Sequence, residues 1–464
     1  MAKSPIYEVL TTAALTALGT VSLVGVHHYY RRQTQHQARL QDYAEGLVGL
    51  GIQILTDICQ QYRTQKTATA HITTMHPRPV CWVSGVASMP QAGKLTQNKD
   101  DGDVNDENNF GVVGIDADCQ MVWQTTMPER VHDIVVQPLA NCLKHHTYRN
   151  HIDVVVMGRR PSESFWVLNA ATGQVQQAIK AAIDSHFYGH ACYSLDGTLL
   201  YVTENDTVHL VGKIGIYEVN KGYQKIAEFD AHGIGPHELI MHPDGETLII
   251  ANGGIKTEKA SREELNLDTM RPSLVYLNRH DGTLLEQIMP EHNQMSVRHL
   301  AVHPNGMVMI GIQFQGEKHI NVPLVLTHQR GENALKPLLM PDNQWQRFHH
   351  YIASVAVDSE HNLLCATSPF GGCAVIYDLN TRQIISDISL PDCAGASVLS
   401  SHNNKADNVM HGGFIISDGH GQLTTLCVDD LPTLDLVDND AYIERIVKNS
   451  HLHMMSFDNH LQAL

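Results

Sequence analysis

Residues 237–290 read HELIMHPDG, ETLIIANGG, IKTEKASREELNLDTMR, PSLVYLNRHDG, TLLEQIMP. Four short runs rich in Leu, Ile, Val and Tyr surround one polar insertion, and two of the three junctions between runs carry or follow Asp-Gly. Asp-Gly supplies the positive-φ positions of a tight hairpin, so Asp244-Gly245 and Asp281-Gly282 predict two hairpins in succession. Four antiparallel strands in about 50 residues are one blade of a β-propeller. A solenoid coil has no need of two hairpin turns per unit.

The pattern recurs on both sides. Upstream it reads HACYSLDG, TLLYVTEND, GKIGIYEVNKG, YQKIAEFD; downstream RHLAVHPNG, MVMIGIQFQG, PLVLTHQRGE, NALKPLLMP, and then SVAVDSEHN, LLCATSPFGG, CAVIYDLNTR, QIISDISLP. Further units begin near Val131 and near Ala394. With a first unit holding WVSGV, FGVVGIDADCQ and MVWQTTMP, the expected fold is all-β, a propeller of seven blades. The first unit lacks an innermost strand, and residues 458–464 supply one, which closes the ring and removes the exposed edges between first and last blades.

Ahead of the propeller, residues 9–26 form an uncharged run at the short limit for a membrane span. They are followed by Tyr29, Tyr30, Arg31 and Arg32, which suit a membrane interface. Apolar residues at helical spacing from Leu40 to Ile58 predict an amphipathic helix. The expected organisation is an anchor over 1–32, a helical linker over 33–78 and the propeller over 79–464. Residues 91–109 are acidic and Gly/Asn-rich, a surface insertion in the first blade. The net charge of −17 repels a phosphate backbone and argues against nucleic acid. The nine cysteines are scattered without metal-site or redox spacing.

The innermost strand of each blade lines the channel. Its first position reads His132, His190, His237, His299, Ser354, a small residue near Ala396, and His460. Converging imidazoles point to an iron, copper or zinc site. Counted back from the turns, His190, His299, Asp133 and Glu238 are equivalent, whereas His132 and His237 fall one residue early. A one-residue slip turns a strand side chain to the opposite face, so those two need a bulge to join the ring. A mixed His/carboxylate set with Asp133 and Glu238 favours iron or manganese over copper. The loops between second and third strands reach the same end and bring Arg159, Arg160, Glu204, Asn205, Asn252, Gln313, Gln315 and Ser368, while Arg298 adjoins His299. The insertion at 253–271 is placed to fold over the mouth as a lid. His242 and His303 sit at the far strand ends and serve turns.

The strings HFYGHACYSLDGTLLYVTEND, GIGPHELIMHPDGETLIIANGG, LNLDTMRPSLVYL and SVRHLAVHPNG resemble a bacterial domain-of-unknown-function family of seven-bladed propellers, across residues 125–464. The resemblance implies export to the periplasm and an association with imelysin-type iron-uptake proteins, and it brings no catalytic residues. Arg31-Arg32 follows the apolar run instead of preceding it, which departs from the twin-arginine signal of the family. The resulting expectation is an inner-membrane-anchored periplasmic protein that binds iron or copper. The alternatives are a metal-free scaffold for protein partners, and a lactonase-like hydrolase with Glu204 or Glu238 as base and Arg298 as electrostatic stabiliser.

Overall fold

A computed structural model describes residues 69–72, 78–89, 109–138, 152–257, 264–399, 412–428, 445–451 and 455–464. All belong to one compact unit, Thr67–Leu464. The expected anchor, the amphipathic helix, the acidic insertion and part of the lid segment lie outside the described residues. Among the described residues no helix is long and apolar enough to cross a membrane.

The strands form seven antiparallel sheets, six of four strands and one of five. Each of the six follows the chain outward from an innermost strand: Val131–Val136 in blade 2, Ser185–Tyr193 in blade 3, Pro236–Met241 in blade 4, Met295–Val302 in blade 5, Ser354–Asp358 in blade 6 and Cys393–Val398 in blade 7. Blade 1 takes its innermost strand, Ser456–Ala463, from the far end of the sequence, where it pairs with Trp82–Ser88. Each innermost strand packs on the next, and Ser456–Ala463 contacts both Cys393–Val398 and Val131–Val136, so the ring is closed. One strand was not anticipated. Thr69–Ile72 pairs with Met121–Thr126 as the fifth and outermost strand of blade 1, so the propeller sheet takes up residues that the sequence reading gave to the helical linker.

The second strand of each blade is buried along most of its length and mainly apolar, because both of its faces are covered. In Asp153–Gly158, Val154 and Val156 pack with Trp123 of blade 1, while Val155 and Met157 pack with Phe187 and Tyr217 of blade 3. Each such side chain, fully buried, contributes on the order of 1.5–3 kcal/mol. Outermost strands carry no such load: Gln224–Asp230 is largely exposed and polar. The predicted turns form as read. Gly197, Gly245, Gly282 and Gly306 all have positive φ, and the Asp244 carboxylate accepts the amides of Glu246 and Thr247 at 2.8 and 2.9 Å. His242 and His303 accept the Asp244 and Asn305 amides, holding turns at the end of the blades away from the ring.

Candidate functional site

The feature that shapes the site is a repeated break in the innermost strands. Pairing slips between Val131 and Asp133, between Pro236 and Glu238, and between Val297 and His299. In each case two residues oppose one on the neighbouring strand, which is a β-bulge, and the bulged residue need not follow the strand's alternation. His132 and His237 are the bulged residues in blades 2 and 4, and Arg298 in blade 5. In blade 3 the slip falls around Tyr188-Gly189-His190, and the Thr203 hydroxyl bridges the gap by accepting the His190 amide and donating to the His190 carbonyl. Blade 1 slips around His460.

The five histidines come together. Ring centroids lie 4.6 Å apart for His132 and His190, 5.3 Å for His132 and His460, and 5.0 Å for His190 and His460. His237 is 4.8 Å from His190, and His299 is 5.1 Å from His237. The tightest group is His132, His190 and His460, whose ligand nitrogens fall within 4.8 Å of one another. Imidazoles on one tetrahedral ion stand about 3.4 Å apart at metal–nitrogen bonds of about 2.1 Å. The three nitrogens here, up to 4.8 Å apart, are spaced more widely than that.

Behind these rings stand the carboxylates. Asp133 lies 3.3 Å from Nδ1 of both His190 and His460, and Glu238 lies 3.1 Å from Nδ1 of His299. The carboxylates therefore meet the second ring nitrogen, the position from which such a group orients a metal-binding imidazole. They stand behind the imidazoles, on the side of the rings away from the nitrogens that approach one another, and not beside those nitrogens as a mixed His/carboxylate set would require. They also join blades. Asp133 accepts the Ala191 amide, Glu238 the Leu300 amide and Ser354 Oγ the Ala396 amide, so even-numbered blades hook odd-numbered ones at the same point of the repeat.

Electrostatics keep most of the rings neutral. Burial, reinforced by neighbouring histidines and arginines, holds His132, His237 and His299 well below the usual imidazole range. Burial also opposes charge on His190, but contact with Asp133 outweighs it and raises the His190 pKa. Burial pushes Asp133 up, yet the charges of His190 and His460 bring it net below its ordinary value. Glu238 is pushed up to about 8 by burial, with Asp133 adding to the effect.

Above the ring opens a cavity of about 390 Å³. His132 and His237 lie in its wall beside Arg130, Arg159, Arg160 and Arg298. Of the expected mouth residues, Arg159, Arg160, Arg298 and Gln313 line it. Two others do not. The Glu204 carboxylate turns into blade 3, where it takes hydrogen bonds from Tyr217 at 2.7 Å and Lys225 at 2.7 Å. Strand phase explains this: in the second strand alternate residues face the neighbouring strands' side chains between blades. Gly215 leaves room for that carboxylate, since a Cβ there would meet Glu204 Oε1 at 2.0 Å. Asn252 is also drawn aside, donating to the Ala231 carbonyl at 2.9 Å. The sequence reading missed Arg130, Tyr188, Tyr351 and Phe370, which also line it. Arg130 and Tyr351 lie just ahead of an innermost strand, a position that the repeat itself marks.

A model built from proteins of unknown function, DUF1513, matches residues 125–464. The chain belongs to the DUF1513 family. No curated protein matches it. Among solved structures, this DUF1513 propeller is similar to Kuenenia stuttgartiensis hydrazine synthase, with a TM-score of 0.47 and 14% identity over 66% of this chain and 86% of that one.

Proposed function

We propose that this DUF1513 propeller binds a transition-metal ion through His132, His190 and His460, and serves iron or copper handling outside the cytoplasm. The observation that carries the reading is His190. It is completely buried; its Nδ1 meets the Asp133 carboxylate at 3.3 Å, and its Nε2 has no hydrogen-bond partner among the described residues. A buried polar group left in that state costs about 1–3 kcal/mol. A bound cation relieves that cost: Asp133 takes the Nδ1 hydrogen and Nε2 offers its lone pair. Three converging imidazoles with a carboxylate behind two of them suit copper, zinc or iron(II). When bound, the ion would supply a Lewis-acidic centre next to the cavity wall that His132 lines. Export, a membrane anchor and imelysin-type iron-uptake partners belong to the same proposal, supported by the apolar segment at 9–26 and by the family resemblance.

The hydrolase alternative loses ground because Glu204, one of its two bases, is engaged with Tyr217 and Lys225. A metal-free platform for protein partners differs from the metal reading in one measurement. Elemental analysis of the full-length protein, after metal loading and exhaustive dialysis, should give about one equivalent of copper, zinc or iron. A His132→Ala/His190→Ala/His460→Ala variant should lose it, and His242→Ala, at the other end of its blade, should keep it. Equal metal content in all three proteins would end this reading.

A further inference from the structure

The chain carries 49 acidic residues against 32 lysines and arginines. Among the described residues that line the cavity over the histidines, that balance is inverted, with four arginines and a single carboxylate, Asp392. Neutral side chains help to hold two of the arginines in place. Arg298 donates through Nε to Ser296 Oγ at 2.8 Å and through Nη1 toward His237 Nδ1 at 3.4 Å. Arg160 donates to the Tyr188 hydroxyl at 3.0 Å and to Thr257 Oγ1 at 3.2 Å, with its guanidinium 4.9 Å from the centre of the Tyr188 ring. Burial and the charge of Arg160 bring the Arg298 pKa down to about 10. Like charges fixed close together in a half-buried cavity repel one another, and an anion between them reverses the sign of that interaction.

We propose that this cavity is a binding site for a small organic oxyanion, a carboxylate or phosphate gripped by Arg160 and Arg298. Guanidinium groups present a planar fork that matches both anions. The volume lies in the range of small-molecule sites and is too small for a folded partner. The remainder of the ligand has a wall to lie against. Tyr351 and Phe370 pair with ring centroids 5.3 Å apart, and Phe370 is 68% exposed. Such a surface favours an organic anion over a bare inorganic one. The proposal stands on the arginines and is independent of a metal at the histidines, although His132 and His237 in the cavity wall would make anion and ion neighbours.

The test is calorimetric titration of the full-length, chelator-treated protein, in buffer free of sulfate and phosphate, with citrate and with inorganic phosphate as probes. Binding of one or both is expected, at least about tenfold weaker in Arg160→Gln/Arg298→Gln. Affinity should be unchanged in Arg330→Gln, which removes one charge at the other end of the blades. An Arg298→Lys variant, which keeps the charge but not the fork, should fall between. Thermal melts of each variant identify any that fail to fold. No binding of either probe up to about 10 mM would overturn the proposal, as would equal affinity in the folded double variant. Binding that appears only after metal is restored would assign the anion to the ion and likewise overturn an arginine site.

Discussion

Gly189 illustrates how narrow the tolerances around the histidines are. Its φ of +110° is a conformation other residues rarely adopt, and a Cβ there would stand 2.5 Å from His132 Cδ2. Gly189→Ala should therefore both strain the backbone, by about 1–3 kcal/mol, and push the His132 ring out of the cluster. Chemical denaturation would show the first effect, and metal titration the second, as a loss of affinity. Asp133→Asn keeps the shape but weakens the grip on His190 and His460. Metal affinity in that variant should fall about 10–100-fold, with the His132 contribution intact. His190 and His299 were legible in the sequence because each sits at the same distance from its turn glycine, Gly197 and Gly306, whereas His132 and His237 fall one residue early. Glu204 was placed wrongly because its neighbours, Gly215 and Lys225, come from strands whose register the sequence leaves unstated.

At the level of strands, the bulges convert a regular repeat into a site. A straight innermost strand would present either His132 or Asp133 to the ring, and either His237 or Glu238, never both. The slip in pairing lets imidazole and carboxylate serve together. The need for an irregularity was visible in the one-residue offset of His132 and His237, but its form was not, because a bulge leaves no mark in composition. Closure by the strand near the end of the sequence was legible from the missing fourth strand of blade 1. Ser84 Oγ donates to the His460 carbonyl at 3.3 Å across this pairing. Deleting residues 456–464 should expose the edges of Trp82–Ser88 and, across the gap, the flank of Cys393–Val398. The expected outcome is a marked drop in melting temperature and self-association on size-exclusion chromatography. A monomer with unchanged melting would show that the ring does not depend on this strand.

Across the whole molecule, the buried titratable groups set opposing pH dependences. His132, His237 and His299 hold pKa values well below 6.5 in the folded protein. Below about pH 6.5 the unfolded chain therefore binds protons that the native state does not, and their contribution to stability is lost as pH falls. Glu238 acts in the other direction. Its folded value of about 8 exceeds the ordinary 4.5, so its contribution is present at low pH and lost as pH rises through that interval. His190, with its raised pKa, likewise stabilises below neutrality. Urea denaturation of metal-free protein at pH 5.5 and 7.5 separates these groups. Compared with the parent, His237→Gln should lose less stability on acidification, and Glu238→Gln should gain relative stability on going from pH 5.5 to 7.5. Identical pH slopes in all three proteins would show that these groups titrate alike in the folded and unfolded chains.

The seam in blade 1 joins Ser84 to His460 across 376 positions of sequence. Contacts this distant in the chain close late, because the entropy of a long loop must be overcome before the contact rewards it. Blades 2 to 7 are each continuous hairpins and can form from local pairing, yet His132 and His190 cannot meet His460 until the seam is made. An ion held by all three would therefore report on completed molecules alone. In a refolding experiment, the metal signal should rise after the strand signal, with the rate of ring closure as the interval between them.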